Sequence, residues 1–149
     1  MGKSVFLAAM SAVAYVAYLH GLGDSPIHLW DEERLAISSI EMMSSSNPLV
    51  VTYHGEPDIW SSKPPLAIWL FSLSLRLFGI NETALRLPAA LAAIATTLIV
   101  YLLTLRLTRT PWIALLAGLV LMGTVGYVGT HGARSADYEP ILILFTTIY

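Results

Sequence analysis

Charged residues leave three long gaps along this chain. Residues 4–22, 87–105 and 111–129 each run 19 positions without Asp, Glu, Lys or Arg. At 1.5 Å per helical residue such a run covers about 28 Å, close to the roughly 30 Å hydrocarbon core of a bilayer. Each predicts a membrane-crossing helix, and the apolar run from 140 to 149 predicts the start of another. Residues 64–80 are also apolar, but Arg76 leaves only twelve uncharged positions after Lys63. Twelve residues make about 18 Å of helix, too short to cross unaided.

Sidedness follows from the basic residues. Arg106 and Arg109 sit in the tight connection between the second and third long runs, with no acid nearby. The positive-inside rule places that connection in the cytoplasm, together with Lys3. If 4–22 runs outward, the loop 24–63 is outside, and the chain must still be outside at Arg86. Residues 64–80 therefore make no net crossing and lie in the interface, where Trp69, Phe71 and Phe78 suit the depth and Arg76 can snorkel. The chain emerges outside again at 130–140. A signal peptide is the competing reading of 4–22; no small-residue cleavage site precedes Asp24, so an uncleaved anchor is expected.

Within the loop 24–63, residues 31–43 read as a short amphipathic helix. Ala36, Ile40 and Met43 share a face and acids fill the first turn. Ser44 to Pro48 ends it, because proline cannot continue a helix. Residues 49–53 are β-branched and extended, and His54-Gly55-Glu56-Pro57 is a turn.

Composition agrees with the pattern. The 149-residue chain is 56% hydrophobic and 12% charged, against about 25% charged in globular domains. A net charge of -2 argues against nucleic acid as a partner. Zero cysteines exclude disulfides, zinc–thiolate sites and thiol nucleophiles. The fold class expected is all-α integral membrane, with several spans and amphipathic helices beside the membrane in the first outer loop. A final apolar run shorter than a span suggests the N-terminal piece of a longer protein, with the remainder absent.

Two acidic clusters, Asp31-Glu32-Glu33 and Asp137-Tyr138-Glu139, fall on the same face of this topology. Each has an ordinary explanation: acids at a helix N-terminus favour its dipole, and Arg134 can pair with Asp137. Together, next to basic residues, they also suit general acid–base or metal chemistry. Lys63 before Pro64-Pro65 is either a snorkelling anchor or a clamp for a lipid-linked phosphate. His54-x-Glu56-x-Asp58 has metal-ligand types, but so do many polar loops; His20, His28 and His131 read as interfacial side chains. Asn81-Glu82-Thr83 matches a glycosylation acceptor.

The order Trp-Asp-Glu-Glu-Arg-Leu-Ala, then Lys-Pro-Pro-Leu-Ala-Ile-Trp-Leu, then Ala-Leu-Arg-Leu-Pro-Ala-Ala-Leu, then Ala-Arg-Ser-Ala-Asp-Tyr-Glu-Pro resembles one family. It is the bacterial branch of the protein-mannosyltransferases, which includes the aminoarabinose transferases that modify lipid A. The resemblance runs from about Leu29 to the C-terminus. It implies an integral membrane glycosyltransferase of the GT-C fold in the bacterial inner membrane. Such an enzyme transfers a sugar from a polyprenyl-phosphate donor to a lipid, glycan or protein acceptor on the periplasmic face.

Carried onto this sequence, the resemblance implies Asp31 as catalytic base with Glu32 beside it, Glu139 as an acid of the second outer loop, and Lys63 at the donor phosphate. Arg134 is a second candidate for that phosphate. Many relatives have Asp where Glu139 stands. Some place a metal-binding Glu directly before the lysine, where this chain has Ser62, so a divalent metal ion remains an open cofactor. The competing function class is a non-catalytic membrane protein or transporter fragment. A transporter would favour charged groups near the middle of its spans, which these spans lack.

Overall fold

The computed structural model describes residues 3–61, 63–129 and 131–149. Among the described residues the regular structure is almost entirely helical: α1 (Lys3–Tyr18), α2 (Asp31–Ser44), α3 (Leu66–Phe78), α4 (Glu82–Thr108), α5 (Pro111–Gly123), α6 (Val125–Val128) and α7 (Glu139–Ile148). One two-residue hairpin, β1 (Thr52–Tyr53) against β2 (Glu56–Pro57), closes the loop after α2.

The 27-residue α4 is the axis of the molecule, and α1, α3, α5 and α7 all pack on it. Its ends are set by local chemistry. The Asn81 carboxamide oxygen accepts the Ala84 N–H at 2.8 Å, and its nitrogen donates to the carbonyls of Phe78 and Gly79. Asn81 is thus an N-cap whose side chain is fully engaged. At the other end Arg109 turns left-handed at φ 56° and closes onto the Leu105 carbonyl.

Pro88 lies inside α4 and has no N–H, so the Ala84 carbonyl one turn earlier loses its helical donor. Ser74 of α3 supplies the replacement, donating its hydroxyl to that carbonyl at 2.6 Å in a buried position. The proline therefore fixes where α3 meets α4. Ser74→Ala should strand the carbonyl and lower stability by about 1–3 kcal/mol. Thermal unfolding in detergent would check this; an unchanged midpoint would mean that the carbonyl finds another donor.

Two hydrophobic clusters flank α4. Leu35, Ile68, Phe71, Leu75, Leu85, Ala89 and Ile141 gather α2, α3 and α7 against its first half. Phe6, Met10, Ala14, Tyr18, Ala93, Tyr101 and Ala114 bring in α1 and α5. Small residues on α4 let the other helices approach closely, the rule for helices in lipid. Gly118 of α5 shows how close: a Cβ there would collide with the Met10 methyl.

Large apolar side chains remain exposed on the outward faces, including Val16, Leu107, Leu116, Val120 and Phe145. Such a surface is unfavourable in water.

Helix lengths depart from the expected runs in two places. Only α4 is long and apolar enough to cross a membrane by itself among the described residues. The run 111–129, expected as one helix, breaks at Thr124, which is extended at ψ 115° and divides α5 from α6. Gly123, Gly126 and Gly129 weaken helix propensity there without changing hydropathy. α1 also stops early, at Tyr18, whose hydroxyl is 3.0 Å from that of Thr97. The helix expected at 31–43 is α2, and α3 lies within the expected interfacial segment.

Candidate active site

The first turn of α2 carries Asp31, Glu32 and Glu33, where the helix dipole favours negative charge. Helical geometry separates their fates. Glu32 points inward and is only 3% exposed; Asp31 points outward with a side chain 61% exposed.

Glu32 meets Arg86 of α4, which is wholly buried, in a two-pronged ion pair of 2.7 and 2.9 Å. It also accepts the backbone N–H of His28 at 2.8 Å and of Ala136 at 2.9 Å. The remaining Arg86 donors reach the carbonyls of Leu22, Ser25 and Pro26 and the Ser25 hydroxyl. Burial alone would raise the Glu32 pKa, but these hydrogen bonds hold the carboxyl below its ordinary value. Glu32 thus ties together α2, α4, the segment before α2 and the loop before α7. Its two oxygens are thus occupied by four donors. Trp30, directly before Asp31, lies at φ 81°, a conformation disfavoured for a bulky residue.

The loop before α7 is anchored a second time by Arg134, which donates to the carbonyls of Ala17 and Gly21 at 3.0 Å each. A cation at the C-terminal end of α1 is electrostatically favourable there. Arg134 therefore neither pairs with Asp137 nor lines the cleft that holds Lys63.

With its loop held at both points, Asp137 is buried beside Asp31. Its Oδ2 lies 2.6 Å from His131 Nδ1, and its Oδ1 accepts the Tyr138 N–H at 2.7 Å. His131 Nδ1 is also 3.5 Å from Asp31 Oδ2. The hydrogen bond to Asp137, reinforced by the charge of Asp31, raises the His131 pKa.

Asp31 and Asp137 stand between two cavities. One, of about 240 Å³, is lined by Arg34, Asp58, Trp60, Lys63 and Tyr138 as well. The other, of about 290 Å³, adds His28, Trp30, His131 and Ser135. In the first, Arg34 Nε binds Asp58 at 3.1 Å and so pins the hairpin segment to α2. Lys63 Nζ sits 4.4 Å above the Tyr138 ring and 4.0 Å from Glu139 Oε1. Burial, then the nearby Asp137 carboxylate, raises the Glu139 pKa, while Lys63 opposes the shift. The structure thus brings Asp31, Lys63 and Glu139 to one region.

The His54, Glu56 and Asp58 spacing makes no ligand cluster among the described residues, and Asp58 is taken by Arg34. Ser62, at the position of the metal-binding Glu of some relatives, lies outside the described residues. Four site residues went unassigned from sequence: Arg34, Arg86, His131 and Asp137. Only Asp137 had a signal, its place beside Glu139 in the second acidic cluster.

Comparison with known proteins decides the family. A profile of the dolichyl-phosphate-mannose-protein mannosyltransferase family matches residues 62–149, more than half of the chain. The chain belongs to that family.

Among the relatives of this chain, an uncharacterized protein of Aquifex aeolicus (strain VF5) is 33% identical over 133 residues, 89% of this chain and 26% of the relative. An undecaprenyl phosphate-alpha-4-amino-4-deoxy-L-arabinose arabinosyl transferase of Pseudomonas savastanoi pv. phaseolicola is 29% identical over 95% of this chain and 26% of its own length. One of the same name from Edwardsiella ictaluri is 32% identical over 95% of this chain and 24% of its own. The chain thus spans about a quarter of the length of these relatives. Matches of this extent include Asp31, which precedes the region matched by the family profile. No solved structure matches significantly.

Proposed function

We propose that this chain forms the first part of a membrane glycosyltransferase that moves a sugar from a polyprenyl-phosphate carrier to an acceptor hydroxyl. One observation carries the reading: an accessible carboxylate, Asp31, and a cation, Lys63, line one cavity in a chain of the mannosyltransferase family. Two relatives carry undecaprenyl phosphate and arabinosyl transferase in their names, which supports a lipid-linked donor.

Asp31 takes the proton of the acceptor hydroxyl as its oxygen attacks the anomeric carbon. The carbon–oxygen bond to the carrier breaks and polyprenyl phosphate leaves. Lys63, flanked by Arg34, balances the charge that develops on the phosphate. Glu139 holds the lysine head near the Tyr138 ring. Glu32 and Arg86 act through position, by fixing the turn that presents Asp31. Such a donor needs no nucleotide site. The acceptor is a lipid, a glycan or a protein.

The same reading sets the topology. Arg86 and Arg106 are 20 positions apart on α4, about 30 Å of helix and close to the hydrocarbon thickness. In this arrangement α1, α4 and the α5–α6 pair cross the membrane, α3 lies in its interface and α7 begins a further span. The site then faces the periplasm of a bacterial inner membrane, and the Arg106–Arg109 turn faces the cytoplasm.

Lys63 tests the chemistry. Lys63→Ala, made in the full-length enzyme, should lower transfer in membranes by about 100-fold, while Lys63→Arg retains part of the rate by keeping the charge. Undiminished transfer in Lys63→Ala would exclude the phosphate role.

A further inference from the structure

We propose that Asp31, His131 and Asp137 form a binding site for one divalent ion of the zinc or manganese class. The three come from separate places, the first turn of α2 and the two ends of the loop before α7, yet one ligand atom from each lies within 4.8 Å of the others. At metal–ligand bonds of about 2.0–2.1 Å, neighbouring ligands of a tetrahedral ion are roughly 3.3–3.4 Å apart. The 3.5 Å between His131 Nδ1 and Asp31 Oδ2 matches that edge. The 2.6 Å between His131 Nδ1 and Asp137 Oδ2 is a hydrogen-bond length, so the imidazole must open by about 0.7 Å and release the shared proton to solvent. Its side chain is 56% exposed and has room to do so.

The charge environment favours a cation. Asp137 is 3% exposed, and among the described residues no lysine or arginine pairs with it or with Asp31. Among the described residues the imidazole they share is their one basic partner. Two carboxylates and one imidazole suit zinc or manganese better than calcium or magnesium, which prefer oxygen alone. The frame is rigid: Glu32 fixes the α2 turn and binds the loop at Ala136, and Arg134 fixes the same loop to α1. An ion here would sit where the two cavities meet and supply positive charge to either. Asp31 would bind it through Oδ2, leaving Oδ1 for other work.

The site stands apart from the transferase reading, because it rests on ligand geometry alone. Its test uses the chain purified in detergent and stripped with a chelator, then titrated calorimetrically with zinc chloride or manganese chloride. One equivalent should bind. His131→Ala and Asp137→Asn should each weaken binding at least tenfold, and Glu56→Gln in the hairpin should leave it unchanged. Asp137→Asn also alters the Tyr138 N–H contact and can disturb the loop, so X-ray absorption of the zinc-loaded wild-type chain provides an independent readout, with one imidazole among oxygen ligands expected. Overturning results would be no saturable uptake of either ion, equal affinity in folded His131→Ala, or an absorption spectrum without imidazole. None of these outcomes bears on transfer, since no sugar donor is present.

Discussion

Arg86→Met is expected to destabilise the chain by about 3–5 kcal/mol, because it leaves Glu32 as a buried carboxylate without its ion-pair partner. The loss reaches beyond the pair. Arg86 also holds the carbonyls of Leu22, Ser25 and Pro26, and Glu32 also holds His28 and Ala136, so the segment before α2 and the loop before α7 should both loosen. Thermal unfolding in detergent reads the stability, and hydrogen exchange across residues 131–138 reads the local release. The double variant Glu32→Leu with Arg86→Met removes both charges and should recover much of the loss, as apolar replacements of buried pairs often do. A single variant as stable as the wild type would show that the pair contributes little.

The same pair gives the fold a pH dependence. The folded Glu32 carboxyl is held below its ordinary value of 4.5, so the unfolded chain takes up its proton first as pH falls. The stabilisation is present above about pH 4.5 and is lost as acidification passes through the folded value. Arg86→Met should abolish that acid-sensitive component.

Asp31→Asn should lower transfer by about 10²–10⁴-fold without unfolding the protein. The carboxamide keeps the shape of the side chain, and Asn is tolerated at a helix start about as well as Asp. It cannot accept the acceptor's proton. Asp31 is mostly exposed and makes no contact on which the packing depends, unlike its neighbour Glu32. Transfer assayed in membranes with a polyprenyl-phosphate sugar donor separates the two readings of this carboxylate: wild-type turnover would leave Asp31 as a helix-end acid only.

Asp31 and Lys63 were legible in the sequence because each sits in a short block whose neighbours show its setting: acids opening an amphipathic helix, and a lysine stiffened by two prolines. Glu32 was not, since the Arg86 that claims it is 54 residues away and nothing local announces a long-range pair. Arg134 misled for the opposite reason. Its nearness to Asp137 in sequence suggested pairing, whereas the folded loop sends the guanidinium to the free carbonyls at the end of α1. His131 showed no periodicity and reads alone as an interfacial side chain. The helices were legible from the spacing of charges, but the break at Thr124 was not, because glycine and threonine interrupt a helix without lowering apolar content.

The distance along the chain between Glu32 and Arg86 has a consequence for biosynthesis. At about 5–20 residues per second, the partner of Glu32 leaves the ribosome some 3–11 seconds after Glu32 itself. Ala136, which completes the carboxylate's set of donors, follows Glu32 by 104 positions. Until α4 has been delivered, the turn bearing Asp31 lacks the contact that fixes it. The end that bears Asp31 is therefore assembled last, and a nascent chain that stalls before α4 carries its acidic residues without the means to organise them.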